Sequence, residues 1–168
     1  MVHNKSGFTL LEVVISLAVL SILVATFMPI LGWLMTRSKA TMYDTQAGLI
    51  LQEGMEVSYN VMVGSWDEDW SVYPEGKYHP AIDVSASPEK WVLLSGAQTG
   101  VQAKFDRQIE IKPVCRNNGD GKLIPGNCPP TAGTRDNNSK LLTTTVNWLE
   151  NGRPKSISAE LLVVNLGE

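Results

Sequence analysis

Residues 8–36 carry a single charged side chain, Glu12, and residues 8–35 are almost continuously apolar. Coiled as a helix at 1.5 Å per residue, those 28 residues extend about 42 Å. That exceeds the roughly 30 Å hydrocarbon core of a bilayer, so the sequence predicts a membrane span. A cleaved secretory peptide fits less well, because its apolar stretch runs only about 7–15 residues before a small-residue cleavage site. The only small-residue turn near the end of this run is Ser38-Lys39-Ala40.

The helical period continues past the apolar run. Tyr43, Ala47, Ile50, Leu51, Gly54, Val57 and Val61 recur at three- and four-residue steps, with Gln46, Gln52, Glu53, Glu56 and Asn60 between them. This spacing predicts an amphipathic continuation with one face packed on a partner. Gly64 is the stop signal. One helix over residues 8–60 would be about 80 Å long. Pro29, followed by Gly32, is expected to kink or loosen it, since proline lacks a backbone donor and crowds the preceding turn.

Beyond the helix the period changes from 3.6 to 2. Residues 65–90 hold three of the nine prolines and read as a long connection. Residues 91–94 form a short strand candidate. In residues 101–112, Val101, Ala103, Phe105, Ile109 and Ile111 alternate with polar neighbours, and Arg107 interrupts the apolar phase. Residues 115–139 are a loop by composition. Leu142, Thr144, Val146 and Trp148 alternate again, as do Ile157, Ala159, Leu161 and Val163; Asn151-Gly152 between them is a strong hairpin signal. The expected class is α+β: a long N-terminal helix covering one side of an antiparallel sheet.

Charge and cysteine content narrow the function. From Arg37 onward the chain holds 13 Lys and Arg against 16 Asp and Glu, a formal charge of −3. That balance argues against a protein built to neutralise nucleic-acid phosphates. Cys115 and Cys128 lie in a stretch rich in Asn, Gly and Pro. They read as a disulfide closing a surface loop, and such a closure contributes roughly 3 kcal/mol through the unfolded state. Too few Cys or His lie nearby for a metal site. Asn118-Gly119-Asp120-Gly121 lacks the acid or amide expected two residues earlier in a calcium loop, where Arg116 stands, and Asn127 occupies the place of its bidentate glutamate. No nucleophile–base signature, cofactor motif or phosphate loop stands out, so neither an enzyme nor a small-molecule substrate is expected. Asp67-Glu68-Asp69, between Trp66 and Trp70, reads as an ordinary solvated loop.

The junction Lys5-Ser6-Gly7-Phe8-Thr9-Leu10-Leu11-Glu12 resembles the prepilin processing site of type IV pilins and type II secretion pseudopilins. The resemblance implies a leader over residues 1–7, cleaved after Gly7 by a membrane-embedded prepilin peptidase, and N-methylation of the new Phe8 amine. It implies a filament-core half of the helix over 8–35, an amphipathic half over 36–63 and a globular sheet domain over 64–168. It also implies insertion across the inner membrane lipid with an extracytoplasmic C-terminal domain, partnership with an assembly platform and other pilins, and then residence in a pilus or pseudopilus. An acid near the apolar zone costs on the order of 3 kcal/mol and is normally paired or functional. Glu12 would pair with a Phe8 amine in its own chain or a neighbour's, and the resemblance favours the neighbour, with Glu12 setting subunit register. It adds that the helix near Pro29 melts during assembly.

The segment Thr143–Trp148, the turn, and Lys155–Leu161 look like the closing hairpin of PilV-type minor pilins and related minor pseudopilins, with Phe105-Asp106-Arg107 at an aromatic-x-Arg strand. Cys115 and Cys128 precede the last two strands, unlike the C-terminal disulfide loop of major pilins. A minor pilin of a type IV pilus is the expected reading. The alternatives are a minor type II secretion pseudopilin and a pilus-borne adhesion or DNA-uptake subunit. Arg37 and Lys39 follow the span, so the positive-inside rule alone does not favour this orientation.

Overall fold

The computed structural model describes residues 9–64, 73–125 and 133–165. It comprises helix α1 (Leu10–Gly64) followed by strands β1 (Gly76–Asp83), β2 (Lys90–Ser95), β3 (Gln98–Val101), β4 (Phe105–Asn117), β5 (Leu123–Pro125), β6 (Gly133–Glu150) and β7 (Arg153–Val164). The class is α+β, as the change of period predicts. By its contacts the chain forms two compact units, Met1–Tyr43 and Asp44–Glu168. In the first, the described residues are helical from Leu10 onward. The second contains the rest of α1 and the whole antiparallel sheet.

In the sheet, β2-β1-β4-β6-β7 are neighbours, and β3 and β5 both pair with β4. The face toward the helix follows from register. Phe105, Arg107, Ile109 and Ile111 stand opposite Trp148, Val146, Thr144 and Leu142. Those in turn stand opposite Lys155, Ile157, Ala159 and Leu161. Cross-strand partners share a face, so one row of alternate residues supplies the core. From the helix come Ala47, Ile50, Leu51, Gly54, Val57, Ser58 and Met62, all buried. Met62 packs in one cluster with Tyr78, Leu93, Ile109, Ile111, Leu142 and Val163. Asn151 and Gly152 both have positive φ, 51° and 75°, as the tight hairpin between β6 and β7 requires.

Three expectations need correction. The connection expected over residues 65–90 contains β1. Pro80 hid it, because proline removes a ladder donor. β1 pairs with β4 only at residues 76–78, so Pro80 lies where β2 alone is its ladder neighbour. The single strand expected over 101–112 is broken by a turn. Gln102 and Ala103 adopt positive φ there, held by bonds from Ala103 N to Gly100 O (2.8 Å) and Gly100 N to the Asp106 carboxylate (3.1 Å).

Finally, the loop expected over 115–139 contains the end of β4, all of β5 and the start of β6. A register shift at Pro113/Val114 erases the alternation that would have revealed them. Val114 pairs with Asp136 and Pro113 with Lys140, which leaves residues 137–139 without a partner on β4. The bulge is held by the largely buried carboxylate of Asp136, which accepts from Asn138 N and Ser139 Oγ (both 2.9 Å) and pairs with Arg116 Nε at 3.0 Å.

Candidate functional site

The described helix begins with a reciprocal cap. Glu12 N donates to Thr9 Oγ1 (3.3 Å), and Thr9 N donates to Glu12 Oε2 (3.2 Å). Thr9 is thus the N-cap and Glu12 the third helical residue of a capping box. The Thr9 hydroxyl also approaches Glu12 Oε2 at 3.3 Å. Glu12 is therefore not a bare acid at the head of an apolar helix. Its carboxylate is partnered by the first backbone donor of the described chain. Gly7 and Phe8, the expected processing and methylation positions, lie outside the described residues.

From Leu10 to Met35, eighteen large apolar side chains are exposed. A surface of that size is normally covered by lipid or protein. The polar side chains in this stretch turn inward on the helix itself: Ser16 Oγ donates to Glu12 O (2.7 Å), Ser21 Oγ to Leu17 O (2.7 Å) and Thr26 Oγ1 to Leu23 O (2.8 Å). Their hydroxyls need no water, which suits an apolar medium. The helix is continuous through Pro29. Pro29 supplies no N–H to the carbonyl of Ala25, one turn earlier, so one rung of the ladder is absent there.

In the second unit, the residue that interrupted the strand pattern holds the helix to the sheet. Arg107 occupies a core-facing position and is only 3 % exposed. Its Nη1 lies 3.0 Å from Glu53 Oε1 and 3.5 Å from Ile50 O, and its Nη2 donates to Gln98 Oε1 at 2.8 Å. The arginine thus keeps the alternation rather than breaking it: both terminal nitrogens of the buried guanidinium are met, while its Nε is buried without a partner. An arginine in an apolar phase, with a glutamate on the facing helix, was the available signal. Gly54 sits beside this cluster. A Cβ there would stand 2.9 Å from Thr144 Cγ2 and 3.2 Å from Arg107 Cδ, so glycine sets how closely the helix approaches the sheet.

Cys115 is fully buried on β4, paired in register with Ile124 and Arg135. Cys128 lies outside the described residues, as do Trp66 to Trp70. In the Asn117–Gly121 turn, Asn117 Oδ1 accepts from Gly119 N (2.8 Å) and Asp120 Oδ1 from Lys122 N (3.1 Å). These oxygens serve the backbone.

An apolar N-terminal helix packed in its second half on an antiparallel sheet is a pilin-like architecture. Residues 2–28 match the family described as the prokaryotic N-terminal methylation motif. The chain is also similar to Fimbrial protein EcpC of Eikenella corrodens, 28% identical over 143 residues that cover 74% of this chain and 90% of that protein. No solved structure matches the chain. Both likenesses support the type IV pilin family, whose members are structural fimbrial subunits that assemble with one another.

Proposed function

We propose that this chain is a minor pilin: a membrane-inserted precursor trimmed after Gly7, methylated on Phe8 and then packed into a type IV pilus. The carrying observation is the apolar run of α1, whose exposed side chains directly follow a capped Thr9–Glu12 start within the methylation motif. In the precursor the run spans the inner membrane. In the filament it packs against other such helices. Ala18, Ser21, Ala25 and Gly32 form a small-residue strip that permits close helix approach. The domain after Asp44 then lies outside the cytoplasm, where Cys115 and Cys128 form a disulfide.

Glu12 is the register device in this reading. Its capping bonds to Thr9 partner the carboxylate at the edge of the apolar zone while the subunit waits in the membrane. Cleavage then creates a cationic amine at Phe8 for it to meet on a neighbouring subunit. The relative named as a fimbrial protein favours a pilus over a secretion pseudopilus. The hairpin of β6 and β7 and the cysteine placement favour a minor over a major subunit. The test is expression with a prepilin peptidase and assembly platform, followed by sheared-filament purification. The chain is expected in the filament fraction at low stoichiometry to a major pilin. Recovery only with secretion-system components would favour the pseudopilin reading.

A further inference from the structure

The apolar run is longer than a bilayer, so its depth needs a separate determinant, and Trp33 and Arg37 provide one. The Arg37 guanidinium lies over the Trp33 indole, 5.4 Å from the ring centroid. No carboxylate pairs with Arg37 among the described residues, and Trp33 is 58% exposed. A cation held over an indole face by its charge still has its N–H donors to offer, and a guanidinium can meet a phosphate through two of them. The Thr36 hydroxyl donates to Gly32 O at 3.0 Å, so no unpaired hydroxyl interrupts the last apolar turn.

Distance along the helix gives the second argument. Glu12 and Trp33 are 21 residues apart, about 32 Å along the axis, which matches a hydrocarbon core of roughly 30 Å. Placed so, Glu12 and its cap lie at the cytoplasmic boundary and Trp33 at the outer one, with Arg37 about 6 Å further on among headgroups. If Phe8 instead marked the inner boundary, Glu12 would lie about 6 Å inside the hydrocarbon and Ile30, Leu31, Trp33 and Leu34 would stand in water.

We propose that Trp33 and Arg37 form a phospholipid-headgroup anchor that fixes the depth of the subunit in the outer leaflet of the membrane. The anchor rests on the reading of α1 as a membrane span. It places the bilayer exit at residues 33–37 despite the cationic charge that follows.

The test uses the full-length chain in cells, with single cysteines introduced at positions 26–41 and labelled from outside by a membrane-impermeant maleimide. Background is taken from the chain without an introduced cysteine. Labelling is expected to begin at residues 34–37. In the Trp33→Leu/Arg37→Leu double variant the onset should move about four residues toward the C-terminus, and Trp33→Tyr/Arg37→Lys should restore it. An unmoved onset in the double variant, an onset at or before residue 28 in the parent, or no external labelling through residue 41 overturns the anchor. The N-terminal mass of the same samples reports separately on the pilin reading. A methylated Phe8 with an unmoved onset sinks only the anchor, and a chain beginning at Met1 with a moved onset sinks only the processing.

Discussion

The guanidinium of Arg107, buried on β4, lies 3.0 Å from the carboxylate of Glu53 on α1, and the two are unequally placed: the arginine side chain is almost fully enclosed while that of Glu53 is 50% exposed. Removing one partner of such a pair has unequal consequences. Arg107→Ala deletes packing and leaves a cavity beside Gly54, whereas Glu53→Gln leaves a neutral acceptor facing a buried cation. We expect Arg107→Ala to cost about 3 kcal/mol and Arg107→Met distinctly less. Glu53→Gln is expected to cost on the order of 1–2 kcal/mol. Denaturant unfolding of the four chains in detergent checks the order. Equal loss for Arg107→Met and Arg107→Ala would show that charge, not packing, holds the helix.

Gly54 makes an opposite-signed prediction to helix propensity. In an open helix Gly→Ala stabilises by up to about 1 kcal/mol. Here the new methyl would meet Thr144 Cγ2 and Arg107 Cδ, and overpacking costs about 1–3 kcal/mol. Gly54→Ala should therefore lower the thermal midpoint, while Gly48→Ala, whose methyl would meet nothing within 4 Å, should raise it. A rise in both would contradict the packing.

These residues show what was legible in the sequence. The helix was readable from Ala47, Ile50, Leu51 and Val57, because one buried face leaves a 3.6-residue imprint. The core strands β6 and β7 were readable for the corresponding reason, with a period of two. Arg107 was visible as an exception but not as a clamp, since its partner Glu53 is 54 residues away. β1, β5 and the ends of β4 and β6 were not readable. Pro80 suppresses a strand signal, and the bulge at Pro113/Val114 shifts the phase of whatever follows. Of the processing segment, Glu12 stood out by charge. Its capping partner Thr9 follows from a threonine three residues before a glutamate, a spacing that signals a helix start.

The β1–β2 turn should respond to acid. Ser85 N and Oγ both donate to Asp83 Oδ1, at 2.9 and 2.6 Å, and these bonds hold the Asp83 carboxyl below its ordinary range. A carboxylate depressed in the folded chain contributes order that is present above its unfolded value, near pH 4, and lost as pH falls through its lower folded value. Compared with the unprotected rate at the same pH, the Ser85 amide should be protected at about pH 6 and lose that protection as pH falls through the depressed folded value of Asp83. In Asp83→Ala it should lack that protection at both. Hydrogen exchange read residue by residue checks this, and an acid-insensitive Ser85 amide would contradict it.

Glu12→Ala removes the capping carboxylate and the charge while leaving the apolar run intact. Cleavage is expected to stay largely intact, and incorporation into sheared filaments to fall severalfold. Thr9→Val tests the cap alone. Loss of an N-cap costs about 1 kcal/mol locally, so it should reduce incorporation less than Glu12→Ala does. Quantitative immunoblots of filament and membrane fractions compare them. Assembly of Glu12→Ala at the parent level would remove Glu12 from the register role.

The most direct test is the intact mass of the chain recovered from cells that carry a prepilin peptidase. The account predicts, once the chain is reduced, a polypeptide beginning at Phe8 and one methyl group heavier than that sequence alone. A chain that still begins at Met1 while it is found in assembled filaments would contradict it.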